Sequence, residues 1–422
     1  MQSIGNLRRR AAHMLLAVSL ARLPDAFAGT LATLPSVAAH VDGTLVQANA
    51  NGYVTLSTTH KQIVFVPDVR RVTINGIVLH MNAPYLHVNG TGQIATADVD
   101  FVLMPLIDET AGSPGLHHPP RIMLDPGHGG EDSGAVGASP DAVEKDIVLA
   151  LALHMRELLA ETGVDVRLTR ENDRYVALDE RADLANRWGA DLFVSLHLNS
   201  SRNARAAGIE TYVIPAAGFP STAEGSKIDG PYPGNSHDAE NTRLAYFVHK
   251  GLIFQTKASD RGIRRARFEV LRKTRCPALL AECGFISNKD ESWLLRKEDY
   301  RHKVAQGLVS GILTYVTRRE AATRPPLPAA PLEEILDQET PAQTDANIPA
   351  DNAKENVAET AQHAPPTPAE PAAPPAPVDP VEKKKNQSAP PEPVLPPSAL
   401  LDHSDAAPQS NSIAPSTVTP IE

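Results

Sequence analysis

The stretch Arg121-Ile-Met-Leu-Asp-Pro-Gly-His128 decides the fold, because a short apolar run leads directly into a glycine-rich turn that carries a histidine. Such a run is typical of a strand buried on both faces of a sheet, and Pro-Gly favours a loop after it. From this strand onward the chain alternates between strand-like and helix-like patterns. The alternation predicts an α/β domain with a mostly parallel sheet and helices on both faces.

The alternating pattern can be followed to residue 317. Apolar residues at helical spacing predict a helix over Glu144–Glu161, which Gly163 ends. The other expected helices are Leu178–Trp188, Asn241–Phe254 and about Asp299–Val316, and the other expected strands are Val164–Thr169, Leu192–His197, Ile209–Ile214, a segment near Glu269–Leu271 and Ala278–Glu282.

Composition divides the rest of the chain. Short β-branched runs between turn signals predict a small β-rich domain, with a hairpin at Asn75-Gly76. After Tyr315 there is no aromatic residue and no glycine but 22 of the 37 prolines, a composition that favours a disordered tail. The expected organisation is a β-rich domain over 40–107, a linker over 108–120, a catalytic domain over 121–317 with a long polar insertion over 215–241, and a tail over 318–422.

The N-terminus has the three-part layout of an export signal over residues 1–28. Arg8-Arg9-Arg10 precedes an apolar run from Ala11 to Ala21, and Ala26-Phe27-Ala28 fits a cleavage site. The apolar run is too short for a transmembrane helix, which needs about 20 residues. We therefore expect an exported protein without a stable membrane span in the mature chain, and the family resemblance described below implies the periplasm or cell wall as its location. The general and twin-arginine export routes both stay open.

Charge and cysteine content narrow the function classes. The net charge of −10 and the lack of a basic stripe argue against nucleic acid as a partner. Cys276 and Cys283 lie in or beside one expected strand, too far apart along it for a disulfide. We expect both to be small buried apolar residues.

Four polar residues are expected to meet at one edge of the predicted sheet. His128, His197 and Glu282 follow or end apolar strands, and Glu144 begins a helix. Ligands of open α/β sheets bind outside the carboxyl ends of the strands, so these side chains should converge. Each has an ordinary structural explanation when taken alone. Together, two imidazoles and a carboxylate are a typical ligand set for a catalytic zinc ion, with a second glutamate as the general base or acid.

The chain resembles the zinc-dependent N-acetylmuramoyl-L-alanine amidases of the Amidase_3 type over about residues 121–317. The motifs that carry the resemblance occur in the family's order: Asp125-Pro-Gly-His-Gly-Gly, Glu144-Lys-Asp, Thr169-Arg170, Arg181 with Ala185-Asn186, Ser195-Leu-His-Leu-Asn199, Gly208-Ile-Glu-Thr-Tyr212, Gly262-Ile with Val270-Leu-Arg272, and Glu282-Cys-Gly-Phe-Ile-Ser-Asn288.

The resemblance implies hydrolysis of the amide between N-acetylmuramic acid and L-alanine in peptidoglycan. It implies that His128, Glu144 and His197 bind Zn²⁺ and that Glu282 is the catalytic glutamate. Asn199 is a candidate for binding substrate or orienting His197. Some relatives are blocked by a segment over the metal. The 215–241 insertion is thus a candidate inhibitory segment, an activator protein is a possible partner, and a passive surface loop is the alternative.

Two other functions stay open at this stage. One is a different zinc hydrolase of peptidoglycan peptides, such as a carboxypeptidase. The other is a non-catalytic wall-binding protein that works through the β-rich domain and the tail. The complete set of four polar residues argues against the second alternative.

Overall fold

The computed structural model describes residues 31–47, 53–108, 116–137, 141–222 and 228–323. The expected export signal and nearly all of the expected tail lie outside these residues. The described strands are β1 (Leu31–Thr33), β2 (Thr44–Gln47), β3 (Val54–Ser57), β4 (Gln62–Phe65), β5 (Arg71–Ile74), β6 (Ile77–His80), β7 (Leu86–Val88), β8 (Thr91–Ala95), β9 (Arg121–Pro126), β10 (Asp165–Leu168), β11 (Leu192–Asn199), β12 (Ile209–Val213), β13 (Asp260–Arg265) and β14 (Ala278–Phe285).

Helices separate most of these strands. A helical segment over 96–107 contains a π-helical turn at Val99–Leu103, and a 3-10 turn occupies Pro233–His237. The other described helices are Leu34–His40, Glu144–Ala160, Leu178–Trp188, Asp238–Thr256, Glu269–Lys273, Lys289–Leu295 and Glu298–Thr323. The expected strand near Glu269–Leu271 is therefore wrong, since this segment is a short helix. Strand β13 was not predicted from the sequence.

The central sheet is mixed, which corrects the prediction of a mostly parallel sheet. Its order is β10-β9-β11-β14-β12-β13-β6-β5-β4-β3-β2. Strands β10, β9, β11 and β14 are parallel, but β12 runs antiparallel to β14. The physical reason is the short connection 200–208 after β11, because a parallel crossover needs about a dozen residues or more.

The N-terminal β-rich region extends the same sheet. Strand β6 pairs with β13 in parallel at Leu79 and Ile263, and strands β6 to β2 continue as an antiparallel meander. The expected Asn75-Gly76 hairpin is confirmed, with Ile74 opposite Ile77. A smaller sheet has the order β1-β8-β7. The domain boundaries given above stay predictions.

Apolar side chains cover both faces of the part of the sheet that contains β9, β11 and β14. On one face, Leu124, Val194 and Leu279 join a large buried cluster with residues of the helices Glu144–Ala160, Asp238–Thr256 and Glu298–Thr323. On the other face, Phe193 and Leu280 join a smaller cluster with residues of the helices Leu178–Trp188 and Glu269–Lys273. The prediction of helices on both faces is thus confirmed for the described residues.

Two smaller expectations concern burial and membranes. Cys276 and Cys283 are both buried free thiols, as predicted. Within the described residues, we find no helix with the length and apolar character needed to cross a bilayer.

Candidate active site

Three polar side chains form a row across neighbouring strands of the sheet. His197 of β11 lies opposite Glu282 of β14, and Glu282 lies opposite Glu210 of β12. Residues that are opposite each other on paired strands share one face. Alternation along the strands places the row on the face of Phe193 and Leu280. The row lies in the C-terminal halves of β11 and β14, towards the edge at which open α/β sheets bind ligands.

His128, Glu144 and His197 come together as a possible metal site. Each offers one ligand atom, and these atoms all lie within 4.8 Å of one another. Glu144 Oε1 is 3.2 Å from His128 Nε2 and 3.1 Å from His197 Nδ1. The two imidazole rings are edge to face, with centroids 4.9 Å apart. The three residues that the sequence singled out for the metal therefore converge.

Backbone amides fix the carboxylate of Glu144, which is only 3% exposed. The N–H of Ala135 donates to Oε2 at 2.8 Å, and the N–H of Leu198 donates to Oε1 at 2.9 Å. Burial opposes ionisation, but the hydrogen bonds and charges of His128 and His197 outweigh it and hold the pKa of Glu144 far below its usual range. Glu144 is accordingly an anion already aimed at both imidazoles.

The loop after β9 holds His128 in a single orientation. Its Nδ1 is 2.8 Å from Asp132 Oδ2, which leaves Nε2 facing Glu144. The loop closes through the N–H of Gly129, which donates to the carbonyl of Asp132 at 2.8 Å. Gly134 has φ +64°, and a Cβ there would lie 2.7 Å from both Glu144 Oε2 and His128 Cδ2. A side chain at residue 134 would therefore displace the ligand set.

A network of buried charged and polar side chains supports the loop after β9 that carries His128. Asp125 is fully buried and accepts hydrogen bonds from Thr169 Oγ1, Ser195 Oγ and Arg181 Nη1 at 2.7, 2.7 and 2.8 Å. Arg181 also donates to the carbonyls of Pro126 and His128, both at 2.8 Å. The network thus ties the backbone on which His128 sits to three different elements.

Arg170 completes this support. The residue is 1% exposed, and its guanidinium donates to the carbonyls of Pro126, Gly127 and Lys145 at 2.9, 2.8 and 2.8 Å. It thereby connects the loop after β9 to the first turn of the helix that begins at Glu144. The sequence motifs included Asp125, Arg170 and Arg181, but only the tertiary structure gives them this role.

Glu282 lies between the metal site and Glu210 without a protein partner for one oxygen. Its Oε2 is buried and makes no hydrogen bond to any described residue. The residue as a whole is partly exposed. Burial, followed by repulsion from Glu144 and Glu210, raises the pKa of Glu282 well above its usual range. A carboxyl group in this setting holds its proton more firmly than an ordinary surface glutamate does.

Asn199 and Glu210 are linked to each other. Asn199 Nδ2 donates to Glu210 Oε2 at 2.9 Å, and the Tyr212 hydroxyl donates to the same oxygen at 2.7 Å. Sequence reasoning named Asn199 but gave no role to Glu210. A charged residue inside the apolar run of β12 was the available signal, since a buried carboxylate needs partners.

The 215–241 insertion contacts the N-terminal β-rich region in its described part. Ala216 and Phe219 share a buried cluster with Ala83 and Ala95. Arg70 donates to the carbonyls of Ser221 and Pro220 at 2.7 and 3.1 Å. Residues 223–227, in the middle of the insertion, lie outside the described residues.

Comparison with known proteins gives a consistent result. The family model described as N-acetylmuramoyl-L-alanine amidase (Amidase_3) matches residues 122–314. The N-acetylmuramoyl-L-alanine amidase AmiA of Salmonella typhimurium is 31% identical over 218 residues, covering 46% of this chain and 75% of that protein. YqiI, an uncharacterized protein of Bacillus subtilis, is 38% identical over 194 residues, covering 46% of this chain and 84% of that protein.

A solved structure is also similar. The catalytic domain of CwlV, an N-acetylmuramoyl-L-alanine amidase from Bacillus (Paenibacillus) polymyxa var. colistinus, is 35% identical, with a TM-score of 0.40. The match covers 47% of this chain and 98% of that structure. The family match spans the strands and loops that carry His128, Glu144, His197 and Glu282. Since AmiA is 31% identical and is covered to 75% of its length, the chain belongs to the Amidase_3 family of N-acetylmuramoyl-L-alanine amidases, enzymes that hydrolyse peptidoglycan.

Proposed function

We propose that His128, Glu144 and His197 hold one catalytic Zn²⁺ ion and that Glu282 is the proton carrier in hydrolysis of the amide between N-acetylmuramic acid and L-alanine. The observation that carries this assignment is the convergence of three ligand atoms within 4.8 Å, one strand away from a glutamate with an unpaired buried oxygen. Two imidazoles and one carboxylate suit zinc and leave one coordination position for water or substrate.

The donor chemistry of the site fits a divalent cation. Glu144 is anionic, and His128 is fixed through Nδ1 by Asp132, an arrangement typical of metal-binding histidines. Without a cation, both imidazoles depend on the single oxygen Glu144 Oε1, which also accepts from the Leu198 amide. A cation between the three ligand atoms would satisfy them together.

In the proposed reaction the two glutamates have different roles: Glu144 helps to hold the metal, and Glu282 carries the proton. Bound zinc supplies Lewis-acid chemistry, which polarises the scissile carbonyl and lowers the pKa of an attacking water. Glu282 accepts a proton from that water as the new C–O bond forms. It then donates the proton to the nitrogen of L-alanine as the C–N bond breaks, which returns Glu282 to its starting state. Its raised pKa suits a group that both accepts and donates a proton.

Paired substitutions separate the two roles. Glu282→Gln should retain about one zinc per chain while kcat for muropeptide cleavage falls about 10²–10⁴-fold, the usual contribution of a general acid–base group. His128→Ala should lose zinc together with activity. Glu161→Gln, at an exposed glutamate, is the matched control and should behave as the wild type.

The measurements are zinc content by elemental analysis and digestion of purified sacculi with and without a chelator. Mass spectrometry should find intact stem peptides and peptide-free glycan. A Glu282→Gln enzyme that still releases peptides at the wild-type rate would refute the proton role. Full zinc retention by His128→Ala would refute the ligand assignment. Removal of only the terminal amino acid of the stem would indicate a carboxypeptidase instead.

We also propose that the enzyme acts outside the cytoplasm, at the cell wall, since its substrate class is peptidoglycan. The export signal over 1–28, the domain boundaries, the gating role of the 215–241 insertion and a protein activator stay predictions. Deleting residues 223–227 tests gating directly. If the insertion blocks the site, the deletion variant should digest sacculi faster than the wild type. If the insertion is a passive loop, the rate of digestion should not change.

A further inference from the structure

We propose that Arg261 and Arg264 bind a free carboxylate on the peptide half of the substrate, next to the L-alanine whose amide is cleaved. The inference rests on the proposed function, because Glu282 must mark the leaving-group side of the site. It assigns a substrate-recognition role to two residues of β13, a strand that the sequence analysis did not anticipate.

Both arginines bind the same buried carboxylate. Arg261 Nε is 2.8 Å from Glu210 Oε1, and Arg264 Nε is 3.3 Å from the same atom. Glu210 is 3% exposed and lies directly opposite Glu282. Two guanidinium groups therefore share the single carboxylate of Glu210, beside Glu282.

A local irregularity of β13 brings the two arginines to one face. Residues three apart on a regular strand point to opposite faces. Here Ile209 pairs with Asp260 but Thr211 pairs with Ile263, so β13 has one extra residue at this point. Gly262 has φ +92°, and a Cβ there would lie 2.7 Å from Val78 Cγ1. Bulges often redirect a side chain beside an active site, and this one directs both arginines toward Glu210.

The free ends of both guanidiniums remain available to a ligand. Arg261 and Arg264 have side-chain exposures of 34% and 29%. Among the described residues, their Nη groups have no hydrogen-bond acceptor, since Glu210 and the Arg261 carbonyl take only the Nε groups. The ring of Phe285 lies 4.8 Å from Arg261 Cζ and steadies its plane. Planar, fixed guanidiniums favour paired hydrogen bonds to a carboxylate.

Asp260, the acidic residue on the same strand, does not pair with Arg261 or Arg264. Asp260 Oδ1 is 3.0 Å from His249 Nε2, and Asp260 Oδ2 accepts from the amide of Val78 at 2.9 Å. Its carboxylate is thus committed to the helix Asp238–Thr256 and to β6. Asp260 therefore does not compete with a substrate anion for the guanidinium groups of Arg261 and Arg264.

The strand order gives the direction in which the substrate extends. The row crosses three neighbouring strands. It begins at the proposed metal ligand His197 on β11, continues to Glu282 on β14 and ends at Glu210 on β12, which the two arginines contact. Neighbouring strands are about 4.8 Å apart, and an extended peptide advances about 3.5 Å per residue. With the scissile carbonyl at the metal and the leaving nitrogen at Glu282, the residue after L-alanine reaches the arginines.

The test uses two synthetic muramoyl peptides that differ at one group. In MurNAc-L-Ala-D-Glu-L-Lys with L-Lys linked to the γ-carboxyl of D-Glu, the second residue has a free α-carboxylate, and the D-isoglutamine counterpart has a carboxamide there. The wild-type enzyme should prefer the acid by about tenfold or more in kcat/KM, as expected for a charge-assisted pair of hydrogen bonds. Arg264→Gln and Arg261→Gln should each bring this ratio close to one.

Arg187→Gln is the matched control, because Arg187 is 64% exposed and has only a distant pair with Asp183 at 3.9 Å. It should keep the wild-type ratio. A second readout is product inhibition, in which L-Ala-D-Glu should inhibit more strongly than L-Ala-D-isoglutamine and lose this advantage in Arg264→Gln. Arg264→Lys separates charge from the paired geometry and should recover only part of the ratio.

The outcomes distinguish the two proposals. A wild-type enzyme that cleaves both peptides equally well would overturn the carboxylate site and leave the amidase mechanism intact. Retention of the preference in both arginine variants would also overturn it. A wild-type enzyme that binds zinc but cleaves neither these peptides nor sacculi would instead overturn the proposed function.

Discussion

The proposed metal side and the proposed leaving-group side of the site differ in how their charges are compensated. On the metal side, Asp125 is fully buried and has three hydrogen-bond donors, and the buried Arg181 and Arg170 are bound by backbone carbonyls of the loop after β9. On the leaving-group side, Glu282 has an unpaired buried oxygen, and two part-exposed arginines share one carboxylate.

The difference separates positioning from chemistry. Ligands of a metal must be held in one geometry, so the supporting charges are buried and fully paired. A proton carrier and a substrate clamp must change partners during the reaction, so their groups are left incompletely paired. Burying polar groups without partners costs free energy, and functional sites are where proteins retain such groups.

The largest expected effect is on the metal side. Asp125→Ala leaves Arg181 buried without its counterion, which should lower the free energy of unfolding by about 3–5 kcal/mol. The carbonyls that Arg181 holds would also shift, so zinc content should fall. Urea unfolding and elemental analysis measure both effects. Asp183→Ala, at an exposed aspartate in a 3.9 Å pair, should cost less than about 1 kcal/mol. Equal losses of unfolding free energy in the two variants would mean that the buried pair of Asp125 and Arg181 stabilises the protein no more than an exposed ion pair does.

A smaller effect is expected one contact away from the metal. Asp132→Ala removes the carboxylate that orients His128 through Nδ1, so zinc affinity should fall about 10–100-fold. Competition with a chromogenic chelator measures the affinity. Asp141→Ala is the control, since Asp141 is exposed and pairs with Arg296 at 2.7 Å. An Asp132→Ala protein with wild-type zinc affinity would show that the loop backbone alone orients the imidazole.

The smallest effect concerns stability on the leaving-group side. Burial raises the pKa of Glu282 in the folded state, so the folded protein holds this proton more tightly than the unfolded chain does. The resulting stabilisation is complete below the unfolded value of about 4.3 and is lost as the pH rises through the folded pKa.

Glu282→Gln in the zinc-free protein should remove this loss. Relative to the variant, the zinc-free wild type should lose up to about 1.4 kcal/mol per pH unit while Glu282 titrates. Urea unfolding at a series of pH values measures the difference between the two proteins, in which titrations common to both cancel. Parallel stability curves would mean that Glu282 is solvated like an ordinary surface carboxylate.

The convergence of the three proposed metal ligands could be predicted from the sequence better than their surroundings could. His128, Glu144 and His197 converge as expected because strand ends and a helix start of an α/β fold share one edge. The mixed sheet was not anticipated, because the length of the 200–208 connection decided the direction of β12 and apolar patterning does not encode direction. Glu210, Arg261 and Arg264 were missed as a group because their contacts cross two strands and depend on a bulge at Gly262.

The sequence by itself was sufficient to predict the family, the α/β class, the identity of the four candidate site residues and the burial of the two free cysteines. Local patterns are sufficient for these, since apolar periodicity and motif order are properties of the chain. Only the tertiary structure decided that the N-terminal strands join the central sheet through β6 and β13. It also decided that Asp125 pairs with Arg181 next to the loop of His128, whereas Glu282 Oε2 has no hydrogen-bond partner among the described residues. Those features depend on strand register and on residues far apart in the chain, where a shift of one residue reverses the face that each side chain occupies.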